Sequence, residues 1–205
     1  MAKLHFYYAS MNAGKSTALL QADFNYRERG MATMLWTAAI DDRPPAGRAE
    51  DRGGQDRGAI AISSRIGIGA PAHRFSETTD LWVSIATAHA LEPLAAVLVD
   101  EAQFLSPAQV WQLARLADEA GLPVLCYGLR TDFRGALFPG SAVLLGIADR
   151  LVELRAVCHC GAKATMNMRT DADGVPVREG AQTEIGGNDR YLALCRRHFR
   201  EALGL

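Results

Sequence analysis

The stretch YYASMNAGKSTALL, residues 7–20, constrains this chain more than any other. An apolar run meets Gly14-Lys15-Ser16-Thr17, and a helix-forming sequence follows at once. The pattern G-x-x-x-x-G-K-[ST] in a strand–turn–helix setting is a phosphate-binding loop. Its backbone N–H groups and the helix N-terminus point at phosphate oxygens, and the helix dipole adds a favourable field. In this reading Lys15 reaches the β- and γ-phosphates, and Ser16 offers its hydroxyl to Mg²⁺. One part departs from the pattern: Ala9 stands where the first glycine falls. Alanine costs little there if the local φ is negative, and more if it is positive.

The rest of the chain alternates in the way such a loop requires. KLHFYY reads as a strand ending at the loop, and KSTALLQADFNYRERG as a helix stopped near Gly30. ATMLWTA, AAVLVD and LPVLCYGL are further strands, the second ending at Asp100. SPAQVWQLARLADEAG carries a Ser cap, Pro at the first helical position and a terminal Gly121. Continuous apolar runs between helices predict a parallel sheet covered on both faces. Two regions break the rhythm. Residues 43–58, RPPAGRAEDRGGQDRG, are too polar and glycine-rich to bury much and read as a loop. From about residue 151 short strand signals surround an Asp-Gly turn, with cysteines close by. We therefore expect an α/β unit over 1–150 and a small second unit over 151–205.

Charge narrows the function classes. Lys and Arg total 22 against 23 Asp and Glu, so the net charge is −1. That balance points to neither a nucleic-acid nor a membrane surface. No apolar window approaches the length of a spanning helix, and MAKLHFYYAS does not read as a signal peptide. The cytoplasm is the expected compartment. It is reducing, so the four cysteines are read first as metal ligands or core residues.

Two further constellations carry chemistry. In VLVDEAQF a buried strand delivers Asp100 at its C-terminal edge, where an acid orders Mg²⁺ in P-loop proteins. Glu101, next in line, can take a proton from a hydroxyl or a water. Alone, this acidic pair would equally end a strand and enter a turn; beside a phosphate loop it gains a purpose. The second constellation is Cys158-His159-Cys160 with Cys195-Arg196-Arg197-His198, its halves 35 residues apart from Cys160 to Cys195. Cys158, Cys160, Cys195 and His198 supply three thiolates and one imidazole, a full tetrahedral set for a structural Zn²⁺. His159 is expected to point away, and Cys126 to sit in the core.

The stretches MNAGKST, AAIDDR, LVDEAQF, CYGLRTDFRG, CHCG, IGGNDRY and CRRH occur in this order from residue 11 to residue 198. Together they resemble the type II thymidine kinase family, the zinc-containing P-loop deoxynucleoside kinases, in its bacterial form. The resemblance implies a P-loop (RecA-like), mostly parallel α/β sheet with helices on both faces and a C-terminal zinc-bound lasso domain. It implies that Ala9, Ser10, Met11, Asn12, Ala13, Gly14, Lys15 and Ser16 cradle the phosphates of ATP. Asp41 and Arg43 would lie near those phosphates. Asp100, Glu101, Ala102 and Gln103 would complete the Mg²⁺–nucleotide site. Glu101 would be the catalytic base toward the 5′-hydroxyl of thymidine or deoxyuridine. Met11, Leu129, Phe133 and Tyr191 would surround the base, and Ile185, Gly186, Gly187 and Asn188 would read it from a lasso stapled by Zn²⁺. The family is usually a homotetramer.

Two other functions fit parts of this pattern. A P-loop ATPase with a zinc ribbon acting on nucleic acid would explain loop, acids and zinc, but predicts a basic face, and only RRHFR is a basic cluster. A GTPase would need an Asn-Lys-x-Asp guanine-reading motif, which the sequence lacks.

Overall fold

A computed structural model of the chain describes residues 1–40, 61–183 and 190–204. In chain order its elements are β1 (Leu4–Ala9), α1 (Lys15–Arg27), β2 (Thr33–Ala38), β3 (Ala61–Ser63), β4 (Gly69–Pro71) and β5 (His73–Phe75). There follow α2 (Leu81–Leu91), β6 (Ala96–Val99), a 3-10 turn (Ala102–Phe104), α3 (Pro107–Glu119), β7 (Val124–Leu129) and α4 (Pro139–Ile147). The chain then forms β8 (Arg150–Glu153), β9 (Ala156–Val157), β10 (Lys163–Ala164), β11 (Met166–Arg169), β12 (Tyr191–Leu194) and α5 (Arg196–Leu203). No described helix is long and apolar enough to cross a membrane.

Six strands make one sheet in the order β5-β2-β6-β7-β1-β8. Every pairing in it is parallel. The apolar runs become strands because both their faces are covered. Leu4, Phe6, Val97, Val99, Val124 and Cys126 pack on one side against Leu81 and Ile85 of α2, Val110 and Leu113 of α3, and Leu144 of α4. Their neighbours one residue on, Leu98, Leu125 and Tyr127, turn to the other side and meet Leu19 and Leu20 of α1. This is the period-2 alternation of a strand with apolar residues at nearly every position. Cys126 is fully buried in that core, and burial pushes its thiol pKa far up.

Helix ends follow from local chemistry. Ser106 and Gln109 form a reciprocal capping box at the start of α3, with Pro107 at its first position. Gly121, at φ +64°, turns the chain away after its end.

Beyond the sheet the C-terminal residues build a smaller cluster. β9 pairs with β10 and β11 with β12, both antiparallel. Ala156, Cys158, Ala164, Met168, Leu194, Phe199 and Leu203 form its core, and Ala13 of the phosphate loop packs against it. Arg150, Leu151, Val152 and Glu153 pair with β1 as the sheet's edge strand, and the small cluster follows.

Candidate active site

The candidate groups gather at the carboxyl ends of β1, β6 and β7, where open parallel sheets bind ligands. Ala9 is the last residue of β1, is 4% exposed and pairs with Leu129 of β7. It is not among the residues of positive φ. The missing glycine therefore falls on a strand position that alanine fills without strain. The left-handed turns lie further on, at Asn12 (φ 63°) and Gly14 (φ 75°). A Cβ on Gly14 would meet nothing within 4 Å, so its backbone angle and not space calls for glycine.

From that turn α1 begins at Lys15. Lys15 is buried, and its Nζ donates across the loop to the Ser10 carbonyl at 3.0 Å. Ser10 in turn donates its hydroxyl to the Ala164 carbonyl at 3.3 Å, fastening the loop to β10. The Ser16 hydroxyl donates to Asp100 Oδ2 at 2.7 Å. Asp100 is wholly buried, and its Oδ1 accepts from the Glu101 N–H at 3.0 Å. Glu101 is left-handed, at φ 52°, an uncommon conformation for a residue with a Cβ and one that concentrates at functional sites. Its Oε2 accepts from Gln103 Nε2 at 2.6 Å, while Gln103 Oε1 accepts from the Leu129 N–H at 3.0 Å. Gln103 comes so near β7 that a Cβ on Gly128 would lie 2.9 Å from its Oε1. Ala102 is buried beside it.

The residues expected around a base are partly assembled. Leu129 ends β7, and Met11 is half-buried in the loop. Phe133 is 1% exposed, with the Arg169 guanidinium 3.8 Å from its ring centroid. Tyr191 opens β12 opposite Arg169. Asp41 and Arg43, the loop over 43–58, and Ile185, Gly186, Gly187 and Asn188 lie outside the described residues.

Sequence reading missed three residues. Gly128 is needed for the close approach of Gln103. Asn167 and Arg169 are both buried, on one face of β11. Arg169 donates to the carbonyls of Ala181 (3.1 Å) and Glu179 (3.3 Å) as well as covering Phe133. A signal existed: in TMNMR polar and apolar residues alternate, as on a strand with two different neighbours.

The residues expected to bind a metal converge. The ligand atoms of Cys158, Cys160, Cys195 and His198 all lie within 4.8 Å of one another. His198 Nδ1 is 3.4 Å from both Cys158 Sγ and Cys195 Sγ, and Cys160 Sγ is 4.0 Å from Cys195 Sγ. Sulfurs around a tetrahedral Zn²⁺ stand about 3.8 Å apart, so the donor set fits that ion in kind and spacing. Burial opposes a thiolate at Cys158, but the backbone N–H groups of Cys160 and Cys195 and the His198 ring outweigh it, lowering the thiol pKa to about 5. On the far side His198 Nε2 sits 3.8 Å from Glu201 Oε2. His159 departs from expectation. The tight C-x-C turn lays its ring 4.2 Å from that of His198, with Nδ1 3.8 Å from Cys158 Sγ. It flanks the cluster instead of pointing away.

A buried lysine at the mouth of a helix, with the helix's first hydroxyl bonded to an acid from a nearby strand end, marks a P-loop nucleotide-binding protein. Comparison with known proteins narrows the class. The family model for thymidine kinase matches residues 2–199. The thymidine kinase of Novosphingobium aromaticivorans is 72% identical over 204 residues, covering 100% of both chains. That of Zymomonas mobilis subsp. mobilis is 60% identical over 203 residues, with 99% of this chain and 98% of its own covered. That of Jannaschia sp. is 56% identical over 204 residues, with 100% and 98% covered. The chain belongs to the thymidine kinase family.

Proposed function

We propose that this chain transfers the γ-phosphoryl group of ATP to the 5′-hydroxyl of thymidine, giving dTMP for DNA precursor synthesis, and accepts deoxyuridine as well. The observation that carries the reading is the fixed carboxylate of Glu101, held by Gln103 one residue beyond the acid bonded to Ser16 of the phosphate loop. Family membership over nearly the whole chain supports it and disfavours an ATPase acting on nucleic acid.

Phosphoryl transfer asks for positioning and charge neutralisation more than covalent help. Lys15, inside the loop, supplies one positive charge, and the amides of the loop and of the start of α1 supply donors. Mg²⁺, when bound with ATP, neutralises further phosphate charge. Ser16 Oγ and Asp100 Oδ2 would hold it, directly or through water. They are hard oxygen donors 2.7 Å apart, and adjacent oxygens on an octahedral Mg²⁺ stand about 2.9 Å apart. Glu101 takes the 5′-hydroxyl proton as the acceptor oxygen attacks. Met11, Leu129, Phe133 and Tyr191 would form the apolar pocket for the base. Residues 9–16, with Asp41, Arg43 and 100–103, would contact the nucleotide. The lasso residues 185–188 complete the base site in this reading.

Four protein ligands fill a tetrahedral shell, so the Zn²⁺ role is structural: it would hold Cys158 and Cys160 after β9 to Cys195 and His198 at α5. The same reading gives a nucleotide-binding unit and a zinc-bound unit divided near residue 150, a cytoplasmic enzyme and a homotetramer. Incubation of the purified protein with thymidine and Mg²⁺–ATP should yield dTMP and ADP in equal amounts; ADP without dTMP would refute the proposal.

A further inference from the structure

We infer that Asn167 is a positioning residue that fixes the phosphate loop for ATP and couples the metal-bearing cluster to it. The inference rests on the reading that residues 9–16 hold ATP.

Asn167 lies in β11 between Met166 and Met168, whose side chains turn to the core of the C-terminal cluster. It is 2% exposed, and both ends of its amide are used. Oδ1 accepts from the Met11 N–H at 2.7 Å, and Nδ2 donates to the Thr131 carbonyl at 2.9 Å. The amide orientation is unambiguous, because a backbone N–H only donates and a carbonyl only accepts.

The Met11 N–H and the Ser10 carbonyl belong to one peptide unit. That unit is held at both ends, by Asn167 on its N–H and by the Lys15 ammonium on its oxygen. A peptide unit is planar, so fixing the N–H fixes the direction of the carbonyl. Asn167 thereby sets the oxygen on which Lys15 rests, immediately before the left-handed turn at Asn12. Its position in β11 is set from the metal side. Asn167 pairs with Ala193 of β12, two residues before the ligand Cys195. Its second bond reaches Thr131, two residues beyond Leu129, whose N–H Gln103 holds. One buried amide thus joins the phosphate loop, the segment after β7 and the strand pair leading to the metal.

The test compares wild type with Asn167→Leu, of similar size and without polar atoms, and with Asn167→Ser, too short to span both partners. Three quantities are measured: zinc content, KM for ATP and for thymidine, and amide hydrogen exchange over residues 7–14 without nucleotide. Loss of two buried hydrogen bonds should raise the KM for ATP about tenfold and speed exchange of that peptide about tenfold. Zinc stays at one per chain, and the KM for thymidine, whose proposed pocket Met11 also lines, rises clearly less than that for ATP, a split that general destabilisation would not produce. If wild type fails to phosphorylate thymidine, the functional proposal falls, while the exchange measurement still reads the clamp. Zinc loss in both variants, or wild-type KM for ATP together with wild-type loop exchange, overturns the inference.

Discussion

Gln103 Nε2 donates to Glu101 Oε2 at 2.6 Å while its Oε1 accepts from the Leu129 N–H, so one side chain ties the proposed base to the end of β7. Glu101 is itself left-handed, which places its carboxylate by backbone geometry as well as by this bond. Replacing it with glutamine changes little in size and removes the proton acceptor. Glu101→Gln should therefore bind ATP as wild type does and lose about 10²–10⁴-fold in kcat. Near wild-type kcat at saturating thymidine would remove Glu101 from the mechanism.

Gly128 tests the same tie from the other side. An alanine Cβ would sit 2.9 Å from Gln103 Oε1 and 3.0 Å from Gln103 N, so the turn carrying Glu101 must shift. Gly128→Ala should cost about 1–3 kcal/mol of stability by overpacking. It should also lower kcat by about 10²-fold by misplacing the base. Denaturant melts and steady-state kinetics read the two effects separately. Unchanged kcat would show that Glu101 does not depend on Gln103 for its position.

Ala9 answers the question raised by the departure from the loop pattern. It is a paired strand residue, and glycine there would only add freedom to the unfolded chain. Ala9→Gly should lower stability by about 0.5–1 kcal/mol and leave the KM for ATP where it is. A clear fall in that KM would mean the loop gains from the glycine after all.

These particulars show what the sequence could and could not convey. The strands at Leu4–Ala9, Ala96–Val99 and Val124–Leu129 were legible because apolar residues fill nearly every position, and α3 because Ser106, Pro107 and Gln109 write its start. α2, in LWVSIATAHAL, has no polar face to reveal a helical period, and it was missed. That Cys158, Cys160, Cys195 and His198 come together could be read from spacing alone, since metal chemistry restricts which residues may serve. Asn167 could not: its partner Met11 lies 156 residues away, and no local pattern encodes a contact that only the folded chain creates. Arg169 was hidden for the same reason, its partners being Phe133 and two backbone carbonyls.

The metal cluster predicts a measurable dependence. Elemental analysis of the purified protein should give about one zinc per chain. Cys160→Ala should lose the metal and open the segments over 156–169 and 191–203 to hydrogen exchange, while the buried strands of the main sheet keep their protection. A metal-free wild type with full activity and full protection there would end the structural-zinc assignment.

In the proposed reaction thymidine receives the phosphate. The proposed pocket of Met11, Leu129, Phe133 and Tyr191 would suit the 5-methyl group, and burying one methyl contributes about 0.8 kcal/mol, so thymidine should lead deoxyuridine only several-fold. A purine is larger and presents a different donor and acceptor pattern to fixed groups, which costs more than a missing methyl. The direct measurement is a competition at equal concentrations of thymidine, deoxyuridine, deoxyadenosine and deoxyguanosine with Mg²⁺–ATP, resolving the monophosphates formed. Both pyrimidines should be phosphorylated, with the purines lower by at least about 10³ in kcat/KM. Comparable phosphorylation of either purine would contradict a site that selects pyrimidine nucleosides.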